Sequence, residues 1–175
     1  MWGVISKYLK KFGIKTDKPL ITQVARFDRW KDPLGVIDVF KTVRKEVDCR
    51  LVLCGNKAID DPESQGIFNK VMLKAKDFVR NGEFGLSVTE ALWKGKPVVA
   101  SNVGGIPIQI KDGRNGFLAE PHDAEKFAEK IIEILQEPEL AKEMGENSKE
   151  MVKEQFLITR LISDHLDILN DACNF

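Results

Sequence analysis

The sequence is poor in the residues that most often carry metals, redox chemistry and proton transfer. Only three cysteines and two histidines occur in 175 residues. Cys49, Cys54 and Cys173 are scattered, odd in number and without metal-ligand spacing, which argues against a disulfide framework and against a zinc site. Cys54 closes an apolar run and reads as a small buried hydrophobe. His122 follows Pro121 in a loop and His165 lies in a helical stretch; neither has neighbours that suggest catalysis, and both read as structural. An excess of charge is also missing. Lys+Arg and Asp+Glu are both 27, so no long-range field draws the chain to nucleic acid or to a membrane. No apolar run reaches the length of a membrane span, and the first residues lack the apolar core of a signal peptide. A cytoplasmic location is therefore expected. Internal repeats and low-complexity segments are absent.

What remains, 43% hydrophobic and 31% charged residues, is the composition of a globular protein with a sizeable core. Trp2 to Phe12 alternates lysines with apolar residues, as an amphipathic helix does, and a linker follows; residues 1–17 are set apart from a domain over 18–175. Leu20 to Val24 is a short β-branched strand. Asp32 as N-cap and Pro33 at the first helical position mark a helix to about Glu46, with Val36, Ile37, Val39, Phe40 and Val43 on one side. Cys49 to Cys54 (CRLVLC) is the second strand. A polar loop from Asn56 to Ser64 leads to a helix with Ile67, Phe68, Val71, Met72, Ala75, Phe78 and Val79 at helical spacing, ending at Asn81-Gly82. Strands alternating with amphipathic helices predict an α/β fold with a Rossmann-like parallel sheet and helices on both faces.

Phe84 to Gly116 is the stretch around which the rest is arranged. Ser87 reads as an N-cap with Glu90 three residues on, the spacing of a capping box. Gly95 and Pro97 stop the helix, and Pro97-Val98-Val99-Ala100 is a buried parallel strand. Val103-Gly104-Gly105-Ile106 then lets the backbone approach a ligand closely. A loop at the carboxyl end of a parallel strand is where open α/β sheets bind ligands. After the last short strand, Gly116 to Ala119, Asp123 caps a helix with Phe127, Ile131, Ile134 and Leu135 on its apolar side. Pro138 starts another short helix, and about Ser148 to Asn170 reads as one long terminal helix. Near the first strand, Arg26 and Lys31 flank a turn that precedes a helix N-terminus, where an anion would gain two cations and backbone N–H donors. Two solvated loop cations are the plain alternative, and Arg29 reads as a surface residue.

FGLSVTEALWKGKPVVASNVGGIP followed by DGRNGFLAEP resembles the donor-binding, C-terminal half of family 4 glycosyltransferases with the two-domain GT-B fold. Within that family it is similar to the archaeal-type trehalose synthase branch, in which Ile108 and Gln109 follow the matching Pro107. The resemblance runs from about Lys18 to Leu169. It implies glucosyl transfer from ADP-glucose or UDP-glucose to glucose with retained configuration, and no metal or other cofactor. It also implies donor-binding roles for Arg26 and Lys31 at the diphosphate, Glu90 at the ribose, and Gly104 and Gly105 at the sugar or phosphate. Glu90 thus has two readings, a helix cap and a ribose ligand.

Against the family pattern, one segment is missing. The family pairs two glutamates with seven residues between them, but the position eight before Glu90 is Gly82, and Glu83 is out of register by one. Lys74 to Gly82 reads as the end of a helix that runs directly into the central stretch. A strand-helix-strand unit of about 30 residues is absent between them. The strands beginning near Leu20, Arg50, Pro97 and Gly116 are then expected to close into a shortened sheet of about four strands, or to leave edges that favour self-association. The acceptor-binding N-terminal domain is absent too. The expectation is a donor-binding glycosyltransferase domain that is inactive alone. The alternative is a non-catalytic interaction protein that homo-oligomerises or pairs with a separate N-terminal half. A dinucleotide-binding oxidoreductase is disfavoured, because the turn Ala25-Arg26-Phe27-Asp28 lacks the glycine fingerprint.

Overall fold

The computed structural model describes residues 9–10, 13–55, 62–75, 80–81 and 87–160, with 162, 163, 165 and 166 beyond them. Most of the proposed N-terminal helix, as well as Gly82 and Glu83, lies outside the described residues. The chain divides into two compact units, one made of Met1–Ser87 with His122–Gln136 and the other of Val88–Pro121 with Glu137–Phe175. No helix among the described residues is long and apolar enough to cross a membrane.

The first unit alternates strand and helix. Strand β1 (Leu20–Val24) is followed by helix α1 (Pro33–Glu46), β2 (Arg50–Gly55), α2 (Pro62–Ala75) and β3 (Arg80–Asn81). β1 pairs with β2 in parallel register, Leu20 opposite Arg50 through Val24 opposite Cys54, and Cys54 of β2 stands opposite Arg80 of β3. Parallel neighbours need a crossover, and α1 and α2 supply it. Asp32 caps α1 as expected: its Oδ1 accepts from Gly35 N–H at 2.9 Å, and Pro33 needs no such partner. Helix α5 (Ala124–Gln136) completes the unit, with Asp123 Oδ1 accepting from Lys126 N–H at 2.9 Å. Val39, Val43, Cys49 and Ala128 form one buried cluster, into which Phe127, Ile131 and Leu135 pack. A second cluster gathers Phe27, Ile37, Leu53, Ile67 and Val71, with the Phe27 and Phe68 rings edge to face at 5.4 Å.

Close packing fixes the exit of β1. A Cβ on Gly55 would lie 1.8 Å from the Ala25 carbonyl oxygen, so the end of β2 must be glycine for the chain leaving β1 to pass. Arg50 N–H donates to the Pro19 carbonyl and Ala25 N–H to the Cys54 carbonyl, so the odd-numbered residues face β2 and Leu20, Thr22 and Val24 face away. No strand pairs with them among the described residues.

The second unit holds helix α3 (Ser87–Trp93, entered at the unit boundary), strand β4 (Val98–Ser101), the four-residue helix α4 (Ile106–Gln109), β5 (Gly116–Ala119) and helix α6 (Pro138–Gln155). β4 and β5 are parallel, Val98 opposite Gly116 through Ser101 opposite Ala119. Leu92, Ile110 and Val152 form its core, with Val88, Val98, Ala100 and Leu118 against them.

The fold is α/β with parallel strands, as the alternation predicts, but three local readings are corrected. A strand, β3, follows α2, which ends at Ala75; apolar residues at 75, 78 and 79 satisfy helical spacing and strand content alike, so periodicity could not separate them. The strands among the described residues form a three-stranded and a two-stranded sheet, where one sheet of about four strands is expected. Helix α6 runs unbroken from Pro138 to Gln155, where a boundary near Ser148 is expected from sequence. Ser148 does not cap a new helix because its buried Oγ sits 2.7 Å from the Met144 carbonyl, one turn back, and 2.9 Å from the Asn115 carbonyl. The helix ends at Phe156, so Ser148 to Asn170 is not one helix.

Candidate functional site

The turn after β1 is built around a buried carboxylate. Arg26 is exposed, while Asp28, two residues on, is only 6% exposed. The Arg26 Nη2 lies 3.6 Å from Asp28 Oδ2, and Asp28 Oδ1 accepts from Lys31 N–H at 3.0 Å. One carboxylate therefore holds the guanidinium of Arg26 and the backbone of Lys31. Residues Arg29–Lys31 form a single 3₁₀ turn, closed by Asp32 N–H donating to the Arg29 carbonyl at 3.2 Å. Gln23 Nε2 on β1 donates to the Lys31 carbonyl at 2.7 Å, tying the turn to the sheet. Asp32 then adopts φ +40°, a left-handed conformation, before capping α1. Aspartate tolerates that region better than most residues because its short side chain bonds locally, here to Gly35. The outcome is two exposed cationic side chains on one anchored turn at the carboxyl end of a parallel strand.

The second unit carries the other three residues. Helix α3 begins at Ser87 itself, one position earlier than a capping box there requires, and Glu90 sits exposed in its first turn. Thr89 Oγ1 donates to Gln109 Oε1 at 2.7 Å, and Gln109 Nε2 reaches the Gly105 carbonyl at 3.4 Å. These bonds link the start of α3 to the glycine turn before α4. Gly104 adopts φ +56°, which favours glycine. Gly105 does not share that reason: its φ is −84°, and a Cβ placed on either glycine would meet nothing within 4 Å. The chain itself leaves open space in front of both.

Beneath the turn is a polar hub that the sequence reading missed. Asn115 is 1% exposed; its Oδ1 accepts from Lys111 N–H at 2.7 Å, and its Nδ2 lies 3.1 Å from the Gln109 carbonyl and 3.0 Å from Met151 Sδ. It fixes the end of α4, and through Gln109 the glycine turn. Asn115-Gly116 is a turn dipeptide, the one local signal for it. Asp28 likewise carries an i, i+3 spacing to Lys31 that marks an aspartate turn.

Arg26 and Lys31 thus stand on one turn of the first unit, and Glu90 on α3 and Gly104 and Gly105 before α4 stand in the second. His122, at φ +67°, precedes the Asp123 cap of α5, and His165 lies beyond α6. Among the described residues no group of three or more His, Cys, Asp or Glu side chains is placed to hold a metal ion. The carboxylates whose affinity for protons shifts are in surface ion pairs: a hydrogen bond from Arg50 lowers Asp17, one from Lys74 lowers Asp38, and one from Lys126 lowers Glu129.

Parallel βαβ units with loops gathered at strand ends define the class: the fold is that of GT-B glycosyltransferases. HepE from Anabaena, solved with UDP and with UDP-glucose, superimposes with TM-scores of 0.82 and 0.81 at 18% identity, over 97% of this chain and 53% of that one. The C-terminal domain of a group 1 glycosyl transferase (LpcC) from Francisella tularensis matches at TM-score 0.67 and 19% identity, over 87% of this chain and 93% of that one. The family profile for glycosyl transferases group 1 matches residues 4–72 and 69–151, and the chain belongs to that family. Trehalose synthase from Thermococcus litoralis is 39% identical over 198 positions, covering 95% of this chain and 47% of the relative. The chain thus spans about half the length of the curated relatives it matches.

That alignment also measures the internal deficit. Ninety-five per cent of the chain is about 166 residues, so about 32 of the 198 aligned positions have no counterpart here. That is the size of one strand-helix-strand unit, and the family match is itself broken in two.

Proposed function

We propose that this chain is a donor-binding half-domain for a nucleotide-sugar, of the glucosyl-transferring, trehalose synthase type, with ADP-glucose or UDP-glucose as ligand. The observation that carries it is the grip of buried Asp28 on both Arg26 and Lys31. It pairs with the Arg26 guanidinium and fixes the Lys31 backbone, so the turn that presents both cations needs little ordering when a diphosphate binds. Arg26 and Lys31 bind the diphosphate and, in a complete enzyme, stabilise the charge that grows on it as the glycosidic bond breaks. Glu90 accepts from ribose hydroxyls at the start of α3. Gly104 and Gly105 leave room for sugar or phosphate against backbone N–H groups. HepE, of the same fold, is solved with UDP-glucose, which supports this assignment. No metal takes part in this reading.

The chain alone does not catalyse transfer in this reading. A transfer site needs an acceptor wall that orients the second sugar and excludes water, and this chain spans about half the length of the trehalose synthase it matches. The test is to incubate the purified chain with UDP-glucose or ADP-glucose and glucose, and to assay both nucleotide binding and disaccharide. Binding without disaccharide is expected; disaccharide formation contradicts the inactivity, and absence of any nucleotide binding contradicts the donor role.

One observation favours a second reading, an assembly role. The outer edge of β1 offers the N–H and C=O groups of Leu20, Thr22 and Val24 to a further strand. A homo-oligomer, or a pairing with a separate N-terminal half, would cover it. Light scattering on the purified chain separates these: a monomer from micromolar to hundreds of micromolar removes the homo-oligomer.

A further inference from the structure

Trp30 is held in solvent by a rigid turn. Its side chain is 79% exposed. The backbone on both sides is nonetheless fixed, with Lys31 N–H bonded to Asp28, Asp32 N–H to the Arg29 carbonyl, and the Lys31 carbonyl to Gln23. The Arg29 guanidinium lies over the indole, 4.6 Å from the ring centroid. That cation–π contact orients the ring while leaving most of its area in water. An indole so placed contributes no burial to the fold. A flat, pre-oriented aromatic surface costs little entropy to engage, which suits it to a ligand.

Its position says which part of a ligand it meets. Trp30 directly precedes Lys31 and follows Arg26 by four positions, the two cations assigned above to a diphosphate. A hexose presents a flat C–H face rimmed by hydroxyls. The turn offers a flat apolar ring, with the exposed Asp32 carboxylate two residues on as an acceptor. We propose that Trp30 is a hexose-stacking residue that packs the sugar ring against its indole beside the diphosphate. The proposal rests on the donor-site reading of Arg26 and Lys31. The hexose has two sources, the glucosyl group of the donor or a free acceptor glucose, with the same stacking chemistry in either case.

The experiment is calorimetric titration of the wild-type chain, Trp30→Ala, Trp30→Phe and the Arg26→Ala/Lys31→Ala double variant. The titrants are UDP, UDP-glucose, their adenine counterparts, and glucose added to the nucleotide-saturated chain. Melting temperatures of the Trp30 variants stay at the wild-type value because the ring is in solvent, so lost affinity is not lost fold. Nucleotide affinity stays within about two-fold in both Trp30 variants. Affinity in the arm that carries the hexose, either nucleotide-glucose or added glucose, falls about ten-fold in Trp30→Ala and largely recovers in Trp30→Phe. If hexose affinity in Trp30→Ala stays at wild type while the double variant loses the nucleotide, the stacking role falls and the diphosphate site stands. An equal loss of UDP and UDP-glucose in Trp30→Ala moves the indole to the nucleoside and overturns the hexose assignment. No binding by the wild-type chain in any arm overturns both.

Discussion

Replacing Asn115 with alanine removes a buried polar side chain that ties the end of α4 to α6. Its Oδ1 is the acceptor for Lys111 N–H at 2.7 Å and its Nδ2 the donor to the Gln109 carbonyl at 3.1 Å, two partly buried bonds made by a side chain that is itself 1% exposed. Alanine leaves a partly buried backbone donor and a partly buried backbone acceptor without that partner, at about 1–3 kcal/mol each when water cannot replace it. The Met151 contact adds little, because sulfur is a weak acceptor. A loss of about 3 kcal/mol is the central expectation, which for a chain of this size lowers Tm by about 6–12 °C. Asn115→Asp separates polar satisfaction from packing. It keeps the shape and the acceptor but turns an oxygen toward the Gln109 carbonyl. Burial and that carbonyl both favour the protonated acid in the folded state, so this variant loses stability as pH rises through and above the ordinary carboxylate range. Thermal melts of the three proteins from pH 4 to 8 provide the assay. A fall in Tm below about 2 °C for Asn115→Ala, or an Asn115→Asp variant whose deficit does not grow with pH, would refute the reasoning.

Other perturbations follow from the same contacts. Gly55→Ala forces a Cβ to within 1.8 Å of the Ala25 carbonyl, so β1 and β2 must part and stability falls by at least about 2 kcal/mol, read from a urea melt. Gly105→Ala meets nothing within 4 Å at φ −84°, so its Tm holds or rises while nucleotide-sugar affinity falls; a lower Tm or an unchanged affinity contradicts the ligand-side reason for that glycine. Asp38 is held below the ordinary carboxylate range chiefly by its hydrogen bond from Lys74, which with the charges of Lys74 and Lys41 outweighs the opposing effect of desolvation. A depressed folded-state value means this stabilisation is present above the unfolded carboxylate's pKa, near 4, and fades as pH falls below it. Lys74→Met should therefore flatten the dependence of stability on pH between about 4 and 2 relative to wild type.

Local chemistry made much of this fold legible. Asp32-Pro33 announces α1, Asp123 announces α5, and the Val/Leu runs at β1, β2 and β4 stand where short apolar segments between helices are expected. Each is a pattern within four residues, which the chain carries wherever it goes. The corrected features depend on partners far along the chain. β3 exists because Arg80 and Asn81 find β2, not because of their own propensity. α6 continues through Ser148 because that hydroxyl is buried against the Asn115 carbonyl, 33 residues away. The candidate site divides in the same way. The cations of the turn after β1 and the double glycine were visible as residue types at strand ends. Asp28 reads as one more loop carboxylate until its burial shows that it organises Arg26 and Lys31. Asn115 reads as half of a turn until it is found against Met151, 36 residues on.

The most direct test of the account is nucleotide affinity of the wild-type chain set against Arg26→Ala, Lys31→Ala and the double variant, by calorimetry with UDP, ADP and their glucose conjugates. Each lost charge-assisted contact is worth about 1.5–3 kcal/mol, so each single variant should bind about 10- to 100-fold more weakly. The Lys31 side chain is exposed, so Tm should hold in Lys31→Ala, whereas Arg26→Ala leaves the buried Asp28 carboxylate without its ion pair and should lower Tm. Because one buried carboxylate organises both cations, the double variant should lose less than the product of the two single losses. Wild-type affinity that is unchanged in all three variants, or no nucleotide binding at all, would contradict the claim that this turn is a diphosphate site.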